Sequence, residues 1–369
     1  MWILLLLLGI FILWILQERL FARYWDKGLS VSTAFSDNYI FEGDTSSLKE
    51  TITNDKLLPL AALSVRLSMD SSLVFLKEAK DNSGVSDKIY KRDIFSFLFH
   101  QQVTRTLPFC GTKRGCYEIN AVDVIAYDFF FREGYYREFP QQARLYVYPK
   151  PVDIRRITLI SQAITGTILS QNRLFTDPFE FSGIREYCKD DPMNHINWKA
   201  SARTNELMVN KFDATTNFSI TILLDIEDPY ILKNAALTEE SIRIAASLSA
   251  FLIEKNMPLR LISNALHINE RIPAGAGNMM DILQKLACAK STELSGHMAE
   301  LIAHECANAP AGETYVLISK NHNAELVDAL HQLARTPNQI LWVLPTYDYK
   351  MTEKFEDSQL HILHWEVNA

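Results

Sequence analysis

Cysteine is scarce: five residues in 369, an odd number and too few for the disulfide framework of a small secreted domain. Basic charge is also short, with 37 Lys and Arg against 44 Asp and Glu and a net charge of −7. A general nucleic-acid binder carries a basic excess, so no nucleic-acid partner is expected. Several catalytic signatures are missing. There is no G-x-x-x-x-G-K-[ST] loop to cradle phosphates and no G-x-S-x-G elbow to present a serine nucleophile. His304-Glu305 opens like a zinc-protease helix, but Asn308 stands where H-E-x-x-H needs its second histidine. His297 and His304, seven apart, share a helix face that would suit a metal-ligand pair, but with His361 and His364 they read better as scattered histidines. What remains is 48% apolar and 22% charged, which excludes a disordered chain and suits two folded domains.

Polar side chains are absent altogether from Met1 to Leu16, MWILLLLLGIFILWIL. As a helix this run is about 24 Å long, short of a hydrocarbon core of about 30 Å. Continuation through Leu20 and Phe21 would make up the deficit. Trp2 and Trp14 near its ends suit the membrane interface, and no basic n-region or cleavage site marks it as a signal peptide. The expectation is a transmembrane anchor with its juxtamembrane segment over residues 1–27. Arg19, Arg23 and Lys27 follow the span, so the positive-inside rule places the bulk of the chain in the cytoplasm, on a single-pass inner (plasma) membrane protein.

Residues 28–151 alternate with period two. Leu63-Ser-Val-Arg-Leu-Ser-Met and Tyr117-Glu-Ile-Asn-Ala-Val are examples, and turn residues separate the runs. The pattern predicts an antiparallel, immunoglobulin-like β-sandwich. Cys110 and Cys116 flank a loop there and read as free thiols. Residues 152–217 form a linker, and residues 218–369 alternate strand with helix. Strands are expected at Phe218–Asp225, Leu259–Ser263, Thr314–Ser319 and Gln339–Pro345. Helices are expected from a Thr238 cap to Asn256, from an Asn278 cap to Lys290, over Ser295–Asn308 and over Asn323–Ala334. Gly275-Ala-Gly precedes the Asn278 cap as a weak anion-site candidate. This alternation predicts a doubly wound, largely parallel α/β sheet whose ligands approach the carboxyl ends of the strands. The fold class expected is thus an α+β multidomain chain: transmembrane helix, β-sandwich, α/β domain.

The linker holds Phe181-Ser-Gly-Ile-Arg-Glu-Tyr-Cys-Lys-Asp-Asp-Pro-Met-Asn-His-Ile-Asn-Trp-Lys-Ala-Ser-Ala-Arg-Thr. It resembles the signature R-E-Y-x-x-G-D-x-x-R-x-I-x-W-K-x-S-A-R of the bacterial family known as domain of unknown function 58. Arg185, Glu186, Tyr187, Asp191, Ile196, Trp198, Lys199, Ser201, Ala202 and Arg203 occupy matching positions, and Leu207-Met-Val-Asn-Lys-Phe is similar to the continuation. Asp190 replaces the family's glycine and Asn194 its following arginine, which removes a bidentate partner for Asp191 or Glu186. Two readings of the segment stand side by side. One is a salt-bridged loop with Trp198 as a packing anchor. The other is a docking surface or ligand pocket formed by Arg185, Glu186, Tyr187, Asp191, Trp198, Lys199, Ser201 and Arg203.

The resemblance implies a C-terminal region similar to the von Willebrand factor type A fold, whose metal motif D-x-S-x-S follows the first strand. Here Asp225-Ile-Glu-Asp-Pro stands there, with Glu227 and Pro229 at the serine positions. Asp225, Glu227 and Asp228 are the residues that would gather Mg²⁺ or Ca²⁺, and the expectation is a degenerate site without cofactor. The resemblance further implies a MoxR-type AAA+ ATPase as partner in envelope-related assembly. The functional expectation is a membrane-anchored, non-enzymatic interaction or scaffold protein that recognises its partner at the strand ends. The alternative is a membrane-bound, metal-assisted hydrolase using the Asp225 cluster or the Arg185–Arg203 segment.

Overall fold

The computed structural model describes residues 2–76, 83–85, 88–172, 181–188, 193, 196–204, 206–212, 219–229, 234–265, 268–273, 279–308, 312–347 and 355–367. The chain divides into two compact units, one built on Met1–Lys150 and one on residues 151–369 except for a short stretch of 286–288.

The first unit begins with helix α1 (Trp2–Tyr24), followed by β1 (Leu29–Phe35), β2 (Tyr39–Phe41), β3 (Thr45–Asn54), β4 (Leu60–Asp70), β5 (Leu73–Phe75), β6 (Ser83–Val85), β7 (Lys88–Phe97), β8 (Gln101–Gly111), β9 (Gly115–Tyr127) and β10 (Gly134–Tyr148). Two sheets form, ordered β1-β3-β8-β5 and β2-β10-β9-β4-β7-β6. Alternation in the sequence becomes alternation in burial: β3 turns Leu48 and Ile52 inward, and β9 turns Val122, Val124 and Ala126 inward. These side chains join Leu63, Val65, Leu107, Phe109, Leu145 and Val147 in one core shared by both sheets. The pairing is antiparallel except between β2 and β10, which run parallel.

Among the described residues, no helix is long and apolar enough to cross a membrane. This overturns the expected N-terminal transmembrane helix, and with it the single-pass inner-membrane placement and the orientation derived from it. The physical reason lies at the C-terminal end of α1. Phe21, needed to lengthen the apolar run, is fully buried in the sandwich core. Its ring meets Phe129 edge-on at 5.9 Å and lies 5.6 Å from Tyr135. Trp25 joins the same core, 6.3 Å from Tyr135. The indole of Trp14 is covered by the Arg132 guanidinium at 4.7 Å. Positions 14, 18, 21 and 25 share one helical face, and that face belongs to the β unit.

The second unit contains α2 (Ile154–Asn172), β11 (Phe181–Glu186), α3 (Trp198–Thr204), β12 (Met208–Phe212), β13 (Ile220–Leu224), α4 (Ala235–Glu254), β14 (Leu259–Ser263), β15 (Asn269–Ile272), α5 (Met279–Cys288), α6 (Met298–Asn308), β16 (Thr314–Ile318), α7 (Ala324–Ala334), β17 (Gln339–Tyr347) and β18 (His361–Val367). A sheet ordered β15-β14-β13-β16-β17-β18 runs parallel throughout, except for the antiparallel edge strand β15. Strands β13 and β16 are buried at every position, as a sheet covered on both faces requires. One face packs Leu223, Leu317 and Trp342 against Met298 and Ile302 of α6 and Leu326 and Leu330 of α7. Helix α4 lies against β13, β14, β16 and β17.

Several local expectations need correction. Helix α4 starts at Ala235, not at Thr238, whose hydroxyl bonds Asn234 O from inside the first turn. The expected linker contains α2 and the β11–β12 hairpin. His361 and His364 sit on β18, a strand that the pattern did not reveal. Asn278 and the Gly275-Ala-Gly loop lie outside the described residues, as does Phe218.

Candidate functional site

Strand β13 has β14 on one side and β16 on the other, so the chain reverses its direction of travel across the sheet at β13. The crevice at such a reversal is where open α/β sheets bind ligands. Asp225 follows β13 directly, Asn264 follows β14, and Ser319 follows β16. Asp225 is buried and its carboxylate is saturated with donors. Oδ1 accepts from Asn264 Nδ2 at 2.7 Å and from the Glu227 amide at 3.0 Å. Oδ2 accepts from Ser319 Oγ at 2.7 Å and from Asn321 Nδ2 at 2.8 Å. Asn264 Oδ1 takes the Ile226 amide at 3.0 Å, and Asn321 Nδ2 also donates to Glu227 O at 2.9 Å. Trp342 Nε1, on β17, donates to Ser319 O at 3.1 Å and fixes the loop beneath.

The other two carboxylates of the acidic run have partners of their own. Glu227 Oε1 meets His297 Nδ1 at 2.9 Å. That hydrogen bond raises the His297 pKa above its usual 6.5, and the charge of Glu227 adds to it. Asp228 Oδ2 pairs with Lys320 Nζ at 2.7 Å and accepts the Asn234 amide at 2.8 Å. Asp225, Glu227, His297, Asn321, Asn323 and Glu325 line a small cleft at this junction.

A type A metal motif would place a divalent cation here, and the donor set does not suit one. Both Asp225 oxygens are occupied by amide and hydroxyl donors, Pro229 offers no side-chain oxygen, and an ammonium already sits on Asp228. Among the described residues, no three His, Cys, Asp or Glu side chains converge on a point. Asp225, Glu227 and Asp228 are brought close in sequence and sent to separate partners in space. Sequence reasoning missed Asn264, Ser319, Lys320 and Asn321, and set His297 aside as a scattered histidine. The signal was available in part: Ser263-Asn264 and Ser319-Lys320-Asn321 end mainly apolar, largely buried strands at the level where Asp225 ends β13.

The signature segment folds into the β11–β12 hairpin with α3 between its strands. Its residues divide into two groups. Asn197 caps α3 by accepting the Ala200 amide at 3.0 Å. Ser201 Oγ donates to Asn197 O at 2.8 Å and accepts the Met208 amide at 2.9 Å, which ties α3 to β12. Ile196 and Val209 are buried and bridge to each other. The Tyr187 amide donates to Leu207 O at 2.9 Å, and its ring is half-buried. The second group faces water. Helix α3 buries none of its residues, and Trp198 is 68% exposed. Arg185, Glu186, Lys199 and Arg203 are exposed as well, with Arg185 Nη1 donating to Glu186 O at 3.0 Å. The packing-anchor role for Trp198 is therefore wrong. Asp191, together with Asp190 and Asn194, lies outside the described residues.

Residues 183–334 match the family model described as "Protein of unknown function DUF58". Over this region the chain matches the DUF58 family. The match runs from within β11 to the end of α7 and takes in both α3 and the strand-end junction. No curated protein matches the chain. Similar solved structures include a non-cellulosomal cohesin from Archaeoglobus fulgidus, 10% identical, covering 32% of this chain and 91% of its own, with a TM-score of 0.22. The CARDB domain of a Pyrococcus furiosus protein is 9% identical over 32% of this chain and 96% of its own, with a TM-score of 0.20. A type II cohesin module from the ScaA scaffoldin of Acetivibrio cellulolyticus is 9% identical over 32% and 94%, with a TM-score of 0.23. Likeness at these scores carries no argument about function.

Proposed function

We propose that this DUF58 chain is a non-enzymatic docking protein that presents the α3 face of its signature segment to a partner with an acidic surface. One observation carries the reading: α3 is held from behind by Asn197 and Ser201, yet buries none of its own side chains and leaves Trp198 68% exposed. A tryptophan on a supported helix, with basic side chains beside it, is the residue type that dominates interface energies. Lys199 and Arg203 are one helical turn apart, and α3 holds no acidic residue. The heptapeptide is thus cationic within a chain of net charge −7, which favours an acidic partner. The family resemblance supplies the candidate, a MoxR-type AAA+ ATPase engaged in envelope-related assembly.

Titration calorimetry of the full chain against a purified MoxR-type ATPase from the same organism tests this. Wild type is expected to bind with salt-sensitive affinity, and Trp198→Ala to weaken it by roughly 30-fold or more, the size of an interface hot spot. Lys199→Gln with Arg203→Gln is expected to remove the salt dependence. Absence of wild-type binding, or binding indifferent to Trp198, overturns the proposal.

A further inference from the structure

Lys320 occupies a position that side-chain chemistry does not ordinarily favour. Its ammonium lies next to the amino-terminal end of α4, where the helix dipole opposes a cation, and its side chain is only 2% exposed. Oxygen atoms surround it: Asp228 Oδ2 at 2.7 Å, Thr238 Oγ1 at 2.7 Å and Asn234 O at 3.3 Å. An ammonium has three N–H donors, and these are three acceptors. One is a carboxylate, one a hydroxyl and one a backbone carbonyl, the hard-oxygen set that holds Mg²⁺ or Ca²⁺ elsewhere. Asp228 Oδ1 is buried with no partner among the described residues. The neighbours of Lys320 in sequence, Ser319 and Asn321, are the residues that saturate Asp225 Oδ2. A single tripeptide after β16 therefore serves one carboxylate oxygen of Asp225 and one of Asp228.

We propose that Lys320 is the resident cation of the strand-end junction. Its ammonium fastens the end of β16 to the first turn of α4 and to Asp228. The junction is then complete without metal, and its stability is insensitive to chelators. A corollary follows from the oxygen set. Removing the ammonium vacates a cavity rimmed by Asp228, Thr238 and Asn234, and a hard cation can enter it. This inference is independent of docking at α3.

The test uses the full chain, its thermal unfolding midpoint and equilibrium dialysis, in EDTA, Mg²⁺ and Ca²⁺. Wild type purified without chelator is expected to carry no stoichiometric divalent metal and to melt at the same temperature in all three conditions. Lys320→Ala is expected to melt lower in EDTA and to regain part of the loss with Mg²⁺ or Ca²⁺, with saturable binding. Adding Asp228→Asn to it abolishes that gain. Should Lys320→Ala not fold in EDTA, refolding in Mg²⁺ or Ca²⁺ is the same test, recovery supporting the proposal and failure overturning it. Stoichiometric metal in wild type, a lower wild-type midpoint in EDTA, or a folded Lys320→Ala indifferent to cations also overturns it.

Discussion

The strand-end junction and the α3 face both carry dense charge in the sequence, and the fold treats them in opposite ways. At the junction, Asp225, Asp228 and Lys320 are buried and their charges are consumed within the protein. On α3, Lys199 and Arg203 are exposed, and the structural work falls to the neutral Asn197 and Ser201. Charge in a sequence therefore says little about function until burial is known. A buried carboxylate with four donors is a structural hub, whereas an exposed tryptophan beside cations in sequence has little structural reason to be there.

The sharpest way to break this contrast is to remove one residue from each side. Asp225→Ala leaves Asn264, Ser319, Asn321 and the Glu227 amide without their acceptor in a buried setting. The expected loss is about 3–5 kcal/mol of unfolding free energy, measured by urea titration. Trp198→Ala is expected to change stability by no more than about 0.5 kcal/mol. Equal losses from the two variants would dissolve the distinction between hub and docking face.

Legibility followed the same line between local pattern and tertiary assembly. Strand β14 and the extents of β16 and α7 follow the sequence closely, because continuous apolar runs and helical periodicity are local signals. Helix α2 was hidden by Ile154, Thr158, Ile160 and Ile164, β-branched residues that suit strands. Burial of Ile157, Ile160 and Ile164 on one face overrides that propensity. Helix α1 misled in the other direction: its hydropathy was legible, but the engagement of Phe21 and Trp25 with the sandwich core is a tertiary fact. The same holds at the site. Asp225 was visible at the end of its strand, while its partners come from 39, 94 and 96 residues away.

Ser201 stands between the two regions, a structural residue serving the exposed face. Ser201→Ala removes the acceptor of the Met208 amide and the hydroxyl bond to Asn197 O. A loss of about 1 kcal/mol is expected from this half-buried pair of bonds. Partner affinity should fall with it, because α3 loses its tie to β12 while Trp198 itself is untouched. Calorimetry and urea unfolding on the same preparation check both; unchanged affinity would mean that α3 needs no such support.

The smallest expected effect lies at the solvent edge of the junction, where His297 meets Glu227. Glu227 raises the His297 pKa above 6.5 through the hydrogen bond first and its charge second, with Glu300 and Glu325 adding to it. Protonated His297 is thus favoured by the folded state. The contact contributes fully below about pH 6.5, the unfolded value, and fades as pH rises through the raised folded one. His297→Gln should therefore melt slightly below wild type at pH 5.5, and the two should converge by about pH 8.5, well above a histidine's usual range. Imidazole titration by NMR gives the same answer directly. A folded pKa at or below 6.5 would show that the edge is solvated and that only the buried Asp225 and Lys320 contacts hold the junction together.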